Sequence, residues 1–222
     1  FGIGEKDVKV LVGGTVLKAK EWDFDDGRYY FGARFLPGKC ILPKSLSIQE
    51  IVNADVEIDQ NEYGSGLTER LAEAADVRQR AQILMQYLSC NQKENQKDSV
   101  HALEKYMRQR IYATDGNISI QMLSRETGYS QCYIRRVFKE IHGISPKEFE
   151  RFIRFQAFLG ELNKSQDRTG SEEIALNCGY YDQSHMLKDF RAFAGTTPEK
   201  YKKYCCEKAR SKSLDMNMEK NS

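Results

Sequence analysis

The stretch from Gly128 to Phe149, "GYSQCYIRRVFKEIHGISPKEF", is written a second time from Gly179 to Tyr201 as "GYYDQSHMLKDFRAFAGTTPEKY". No other feature of the chain constrains its fold as strongly. Aligned on Gly128 and Gly179, the copies match Phe138 with Phe190, Gly143 with Gly195, Pro146 with Pro198 and Phe149 with Tyr201, and the second copy has one extra turn residue. Gly128 and Gly179 follow short helical patterns over Ile120–Thr127 and Glu172–Cys178, where a left-handed cap favours a residue without Cβ. Ser130 and Asp182 then stand where side-chain oxygens cap the next helices. Pro146 and Pro198 occupy first-turn positions that need no N–H, preceded by Ser145 and Thr197, and Ser145-x-x-Glu148 has the form of a reciprocal capping box. Helix, tight turn and second capped helix make a helix-turn-helix. The chain is therefore expected to contain two.

A helical wheel at about 100° per residue separates the faces of each second helix. In the first copy Ile134, Val137, Phe138 and Ile141 fall on one side, and Gln131, Cys132, Arg135, Arg136 and Lys139 on the other. In the second, Met186, Phe190 and Phe193 face inward, while Gln183, Ser184, Leu187, Lys188 and Arg191 face out and His185 lies at the edge. Amide and guanidinium groups aimed away from a core suit the major groove, where Arg takes both acceptors of a guanine and Gln both edge groups of an adenine. Leu187 is placed to touch a thymine methyl. The second face is the less basic, so weaker reading is expected from it. Both faces can equally be plain solvated surface, and the matched repeat is what favours DNA contact.

Ser145 to Asn163 reads as one continuous connector of about 28 Å, near the ~34 Å pitch of B-DNA. Two reading helices entering successive major grooves would cover about 20 base pairs. Lys147, Arg151 and Arg154 are the candidate phosphate contacts.

The rest of the chain has a different texture. From Val8 to Phe35, "VKVLVGG", "GTVLKAKEW" and "RYYFGARFLPG" read as strands of a small antiparallel sheet. The capping-box form Ser47-x-x-Glu50 predicts a short helix. Leu67, Leu71, Ala74, Val77, Ala81, Leu84 and Leu88 recur at helical spacing, as a helical pair or one broken helix that packs on the sheet or forms a dimer seam. "NQKENQKD", Asn91 to Asp98, has no apolar residue and reads as a linker. The expected class is α+β: residues 1–92 a partial β-rich sensing or dimerisation domain with trailing helices, 93–99 the linker, 100–209 an all-α DNA-binding domain and 210–222 a flexible tail. Because the chain opens on Phe1, part of the front domain is expected to lie outside it.

Charge follows the same division. Residues 1–97 carry 13 Lys and Arg against 15 Asp and Glu, and residues 98–222 carry 21 against 17, so the basic excess lies with the repeat. Six cysteines without metal-ligand spacing read as reduced thiols. No apolar run approaches the roughly 18 residues of a membrane span, and a cytoplasmic location is expected. No catalytic constellation, phosphate loop or metal cluster is found, so the chain is expected to be no enzyme and to need no cofactor.

Val100 to Tyr204 resembles the DNA-binding domain of AraC/XylS-type transcription regulators, chiefly through "IALNCGYYDQSHMLKDFRAFAGTTPEKY". The family pattern there is I-A-x-x-x-G-[FY]-x-[DS]-x-S-x-[FM]-x-x-x-F-[KR]-x-x-x-G-x-[TS]-P-x-x-Y. The first unit departs mildly, with Ser124 where the family usually has Ala and Cys132 on the reading face. The resemblance implies seven helices forming two helix-turn-helix units joined by a long helix, and double-stranded DNA as partner. "FGARFLPG" and "SIQEIVNADVEID" are similar to a front domain found in a subgroup of the family, which implies a cupin-like sensing domain with an unknown small-molecule effector. RNA polymerase contact and a homodimer are further implied possibilities. Two other functions compete: a co-regulator acting through RNA polymerase or another protein with little DNA specificity, and a DNA-repair alkyltransferase, against which Cys40 in "PGKCILP" lacks the flanking catalytic pattern. Oxidation of Cys132 would add bulk and charge to the reading face; that thiol, like vicinal Cys205 and Cys206, also reads as inert.

Overall fold

The structure is a computed structural model and describes residues 2–3, 8–9, 11–20, 29–42, 45–57, 66–90, 98–165 and 170–205. Among these, five short strands precede nine helices. The strands are β1 (Gly2–Ile3), β2 (Val8–Lys9), β3 (Leu11–Gly13), β4 (Tyr29–Tyr30) and β5 (Asp55–Glu57). The helices are α1 (Leu67–Glu73), α2 (Val77–Cys90), α3 (Asp98–Ala113), α4 (Ile120–Thr127), α5 (Gln131–His142), α6 (Pro146–Lys164), α7 (Ser171–Asn177), α8 (Gln183–Ala194) and α9 (198–205). This is the α+β class, with a small antiparallel front and a helical remainder.

β1 pairs antiparallel with β2 and β4, and β3 pairs with β5, with Leu11 opposite Glu57 and Val12 opposite Val56. β5 escapes sequence reading because "DVE" offers one apolar residue and no alternation. The expected strand over 14–22 does not form in its described part, 14–20. Gly14 N instead donates to Ile51 O at 3.1 Å and Asn53 N to Thr15 O at 2.9 Å, which bends the chain out of a ladder. Ser47 N and Ser47 Oγ both donate to Glu50 Oε2 at 2.7 Å, while Glu50 N donates to the Ser47 carbonyl at 3.2 Å, and the expected helix stops at turns. Ile51 O is committed to Gly14, and Asn53 adopts φ 56, which ends any helix there.

The chain divides into two compact units. The first comprises Phe1–Val16, Lys20–Arg110 and Ser119–Glu148, and the second Leu17–Ala19, Ile111–Ile118 and Phe149–Ser222. In the first, Leu67, Leu71 and Ala74 of the helical spacing form a cluster where α1 and α2 meet, together with Ile83, which that spacing omits, while Val77 is exposed. Leu103, Met107, Leu123, Ile134 and Phe138 are also buried there. The second unit is built on aromatics: the Phe190 ring meets Phe155, Phe158 and Tyr201 edge to face at 5.4–5.9 Å. The expected linker lies outside the described residues as far as Lys97, and Asp98 and Ser99 already belong to α3. The expected tail 210–222 and Cys206 lie outside them as well.

Candidate nucleic-acid interface

α4, a turn and α5 form the first helix-turn-helix. Ser119 Oγ accepts from Met122 N at 3.1 Å to start α4, and Ser130 Oγ accepts from Tyr133 N at 3.3 Å to start α5. Gly128 and Gly143 close the two helices at φ 73 and 75, where a side chain would be strained. Ser124, the departure from the family's usual Ala, donates through Oγ to Tyr129 O at 2.7 Å and so ties α4 to the turn. α3 grips α4 through Arg110, whose guanidinium donates twice to Glu126, at 2.6 and 2.9 Å, while the Tyr106 hydroxyl adds a third bond at 3.0 Å. The hydrogen bond and charge of Arg110 hold the Glu126 carboxyl below the ordinary range.

With α5 so placed, Ile134, Val137 and Phe138 are buried and Ile141 is half-buried. Cys132, Arg135, Arg136 and Lys139 are exposed on the opposite side, with Gln131 half-buried beside them. Gln131 Oε1 accepts from Arg135 at 3.3 Å, which holds these two side chains together along the face. Arg136 lies 5.1 Å over the Tyr133 ring, and Tyr133 stacks on Tyr129 with centroids 5.1 Å apart. This aromatic pair at the lip of α5 escapes the wheel. The spacing of Tyr129, Tyr133 and Arg136, three and four residues apart, is the available signal.

In the second unit, Asp182 Oδ1 accepts from His185 N at 2.6 Å and starts α8, and Gly195 closes it at φ 68. Gln183, Ser184, Lys188 and Arg191 are exposed, so this face carries two cations where α5 carries three. His185 is half-buried, its ring edge to face with Tyr180 at 5.3 Å. Leu187, which the wheel places on the outer face, is half-buried and packs against the aromatic core. The extra turn residue of this copy is Tyr181, which is 88% exposed at the lip of α8.

The three expected phosphate contacts separate. Lys147 is exposed on the first turn of α6. Arg151 donates twice to Oδ1 of the fully buried Asp189, at 3.0 and 2.5 Å, and lies 5.7 Å over Phe193. Arg154 is 7% exposed and donates to Asn117 Oδ1 at 2.9 Å and Gly116 O at 2.8 Å, while Asn117 donates on to Cys178 O at 3.0 Å. This placement puts Arg154 in an internal bracket rather than at a phosphate. Gly179, at φ 83, passes so close to Asn117 that a Cβ would collide with its amide, so the bracket also selects that glycine. The wheel cannot find these roles, because α6 is apolar on several sides and its arginines resemble any basic stripe.

Cys132 is exposed and Cys205 partly so. Among the described residues no three His, Cys, Asp or Glu side chains gather as metal ligands, and no helix is long and apolar enough to cross a membrane.

The family described as "Helix-turn-helix domain", of AraC type, matches residues 123–204, the span from the buried Leu123 of α4 into α9. Residues 123–204 are thus similar to a helix-turn-helix domain. A curated relative, "Probable transcription factor PqrA" of Proteus vulgaris, is 26% identical over 104 residues, which are 46% of this chain and 82% of that protein. A crystal structure of a probable AraC family transcriptional regulator from Rhodopseudomonas palustris is 29% identical, covers 46% of this chain and 92% of its own, and superposes with a TM-score of 0.39. The matched span includes both α5 and α8.

Proposed function

We propose that the chain is a DNA-binding transcription regulator that reads two successive major grooves, one with α5 and one with α8. The observation that carries this is the matched pair of capped helices, each burying an apolar stripe while exposing amide and cationic groups on the other side. The AraC-type domain and the PqrA relative support the regulatory class. Gln131, Cys132, Arg135, Arg136 and Lys139 contact the first groove; Gln183, Ser184, His185, Lys188 and Arg191 contact the second. Tyr129, Tyr133 and Tyr181 flank the two sites and pack against sugar and phosphate.

α6 has 19 residues, a rod of about 28 Å at 1.5 Å per residue. The ~34 Å pitch of B-DNA then requires some bending of a site of about 20 base pairs. Lys147 neutralises a phosphate, whereas Arg151 and Arg154 act by holding the second unit together. The front half senses a small molecule.

Titration of labelled duplex with the purified chain at several salt concentrations tests this. Arg135→Ala is expected to weaken a specific site by about 1–3 kcal/mol and to relax preference at one base pair. Lys147→Ala is expected to weaken all sequences alike and lower the salt slope by about one. Equal, sequence-blind losses from both would defeat the division of roles.

A further inference from the structure

The two reading helices begin with the same residue. Gln131 and Gln183 each follow the capping residue of their helix, Ser130 and Asp182, and fall in register once the extra turn residue of the second copy is allowed for. Side chains at this end of a recognition helix meet the base edges. Each amide could take both edge groups of an adenine, and its neighbours decide whether it does.

In α5 the amide is already engaged. Gln131 Oε1 accepts from Arg135 Nη2 at 3.3 Å, one turn further along. A guanidinium carries donors only, so the oxygen end of the amide must face it. The second lone pair of that oxygen remains, but an adenine using it would bring its own amino donor beside the cation. A guanine instead answers the charged donors with two acceptors, O6 and N7. Charge-assisted bonds are about twice as strong as neutral ones, so the guanidinium rather than the amide sets the preference. Holding it in place matters too, because an arginine fixed before docking has less rotamer freedom left to lose. The neighbouring Arg136 is drawn elsewhere, 3.9 Å from Glu140 and over the Tyr133 ring.

In α8 the register position of Arg135 is taken by Leu187, which is half-buried against the aromatic core and offers no hydrogen bond. Gln183 is exposed, and among the described residues nothing hydrogen-bonds its side chain. Both ends of its amide remain available to a base.

We propose that the shared glutamine has a different role in each unit: Gln131 is a positioning residue that holds Arg135 on a guanine, whereas Gln183 itself reads an adenine. The preferred duplex then carries a guanine in the block under α5 and an adenine in the block under α8. This rests on the reading that both helices enter major grooves.

Sites selected from random duplex by the full chain, followed by competition between single-base variants of the preferred site at one salt concentration, test it. Gln131→Ala is expected to lower the guanine preference roughly threefold to tenfold, a part of the about five- to hundredfold that a bidentate arginine supplies. Gln131→Glu keeps an acceptor for Arg135 and is expected to restore that preference, although its charge weakens binding to all sequences. Adding Gln131→Ala to Arg135→Ala should change nothing further at this base pair, because the two residues act as one. Gln183→Ala is expected to remove the adenine preference in the other block, by about five- to hundredfold, and to leave the guanine untouched. Loss of an adenine from the α5 block in Gln131→Ala, loss spread evenly over all sequences, or a guanine preference that Gln131→Glu fails to restore overturns the positioning role. An adenine that survives Gln183→Ala, or no adenine in that block, overturns the other half. A natural chain with no preferred site defeats the groove reading itself, and this proposal with it.

Discussion

The two helix-turn-helix units share their caps and differ in what holds them. The first is braced by polar contacts: Arg110 and Tyr106 on Glu126, and a buried Glu104 that meets His142 at 2.9 Å and Arg108 at 2.7 Å. The second is braced by rings packed around Phe190 and by the Arg151–Asp189 pair. Caps act within a few residues and so set the same backbone shape in both copies. The bracing depends on partners farther along the chain, and in it the two copies differ. The difference teaches that the repeat is one of geometry rather than of bracing.

The sharpest way to break the comparison is at the central rings. Phe190→Ala should destabilise the second unit by about 3–5 kcal/mol, because Phe155, Phe158 and Tyr201 lose their common partner and cannot collapse into the space. Phe138→Ala, equally buried in the first unit, should cost no more than that and should leave exchange protection in α8 intact. Denaturant titration with hydrogen exchange reads both. Equal loss of protection in α8 from either variant would merge the units into one.

Next in size is the buried pair. Arg151→Met leaves the Asp189 carboxylate without its partner and should cost about 2–4 kcal/mol, below a fully buried pair because the Arg151 side chain is 31% exposed. Replacing both, Arg151→Met with Asp189→Leu, should restore most of the loss. A double variant as unstable as the single would show that the pair contributes more than the cancellation of its own burial.

Acid sharpens the first unit instead. Burial pushes the Glu104 carboxyl up, but the hydrogen bonds and charges of His142 and Arg108 outweigh it, and the group ends below its ordinary value of 4.5. A carboxyl depressed in the folded state stabilises fully above that ordinary value and loses the contribution as pH falls through the folded one. Stability measured downward from pH 6 should therefore drop below about pH 4.5, and Glu104→Gln should flatten that limb by roughly 1 kcal/mol. An unchanged limb would mean that other carboxylates carry it.

The caps should give the smallest effects and the most equal ones. Ser130→Ala and Asp182→Ala are each expected to cost about 1 kcal/mol by thermal or denaturant unfolding. A large inequality would contradict the shared geometry.

What the sequence makes legible follows the same line. Gly128, Ser130, Gly143, Pro146 and Ser145-x-x-Glu148 announce themselves because turns and caps are local chemistry, and the buried Ile134, Val137 and Phe138 follow from periodicity. Arg154 and Arg151 read as phosphate contacts because nothing local says that Asn117 or Asp189 waits for them. Asp189 itself sits on the inner side of α8, where a charged residue is not expected without a partner remote in sequence. Leu187 falls on the outer side of an ideal wheel but reaches the aromatic core. In the front half, Gly14 and Thr15 leave the strand they spell because their hydrogen bonds go to Ile51, Asn53 and His142, contacts that no periodicity encodes.

The central claim is that α5 and α8 each read their own groove. Selection of binding sites from random duplex with the natural chain and with Arg135→Ala tests it most directly. The account predicts two conserved blocks about one helical turn of DNA apart, of which one degenerates in the variant while the other persists. A single block, or salt-sensitive retention with no preferred sequence in the natural chain, would contradict it.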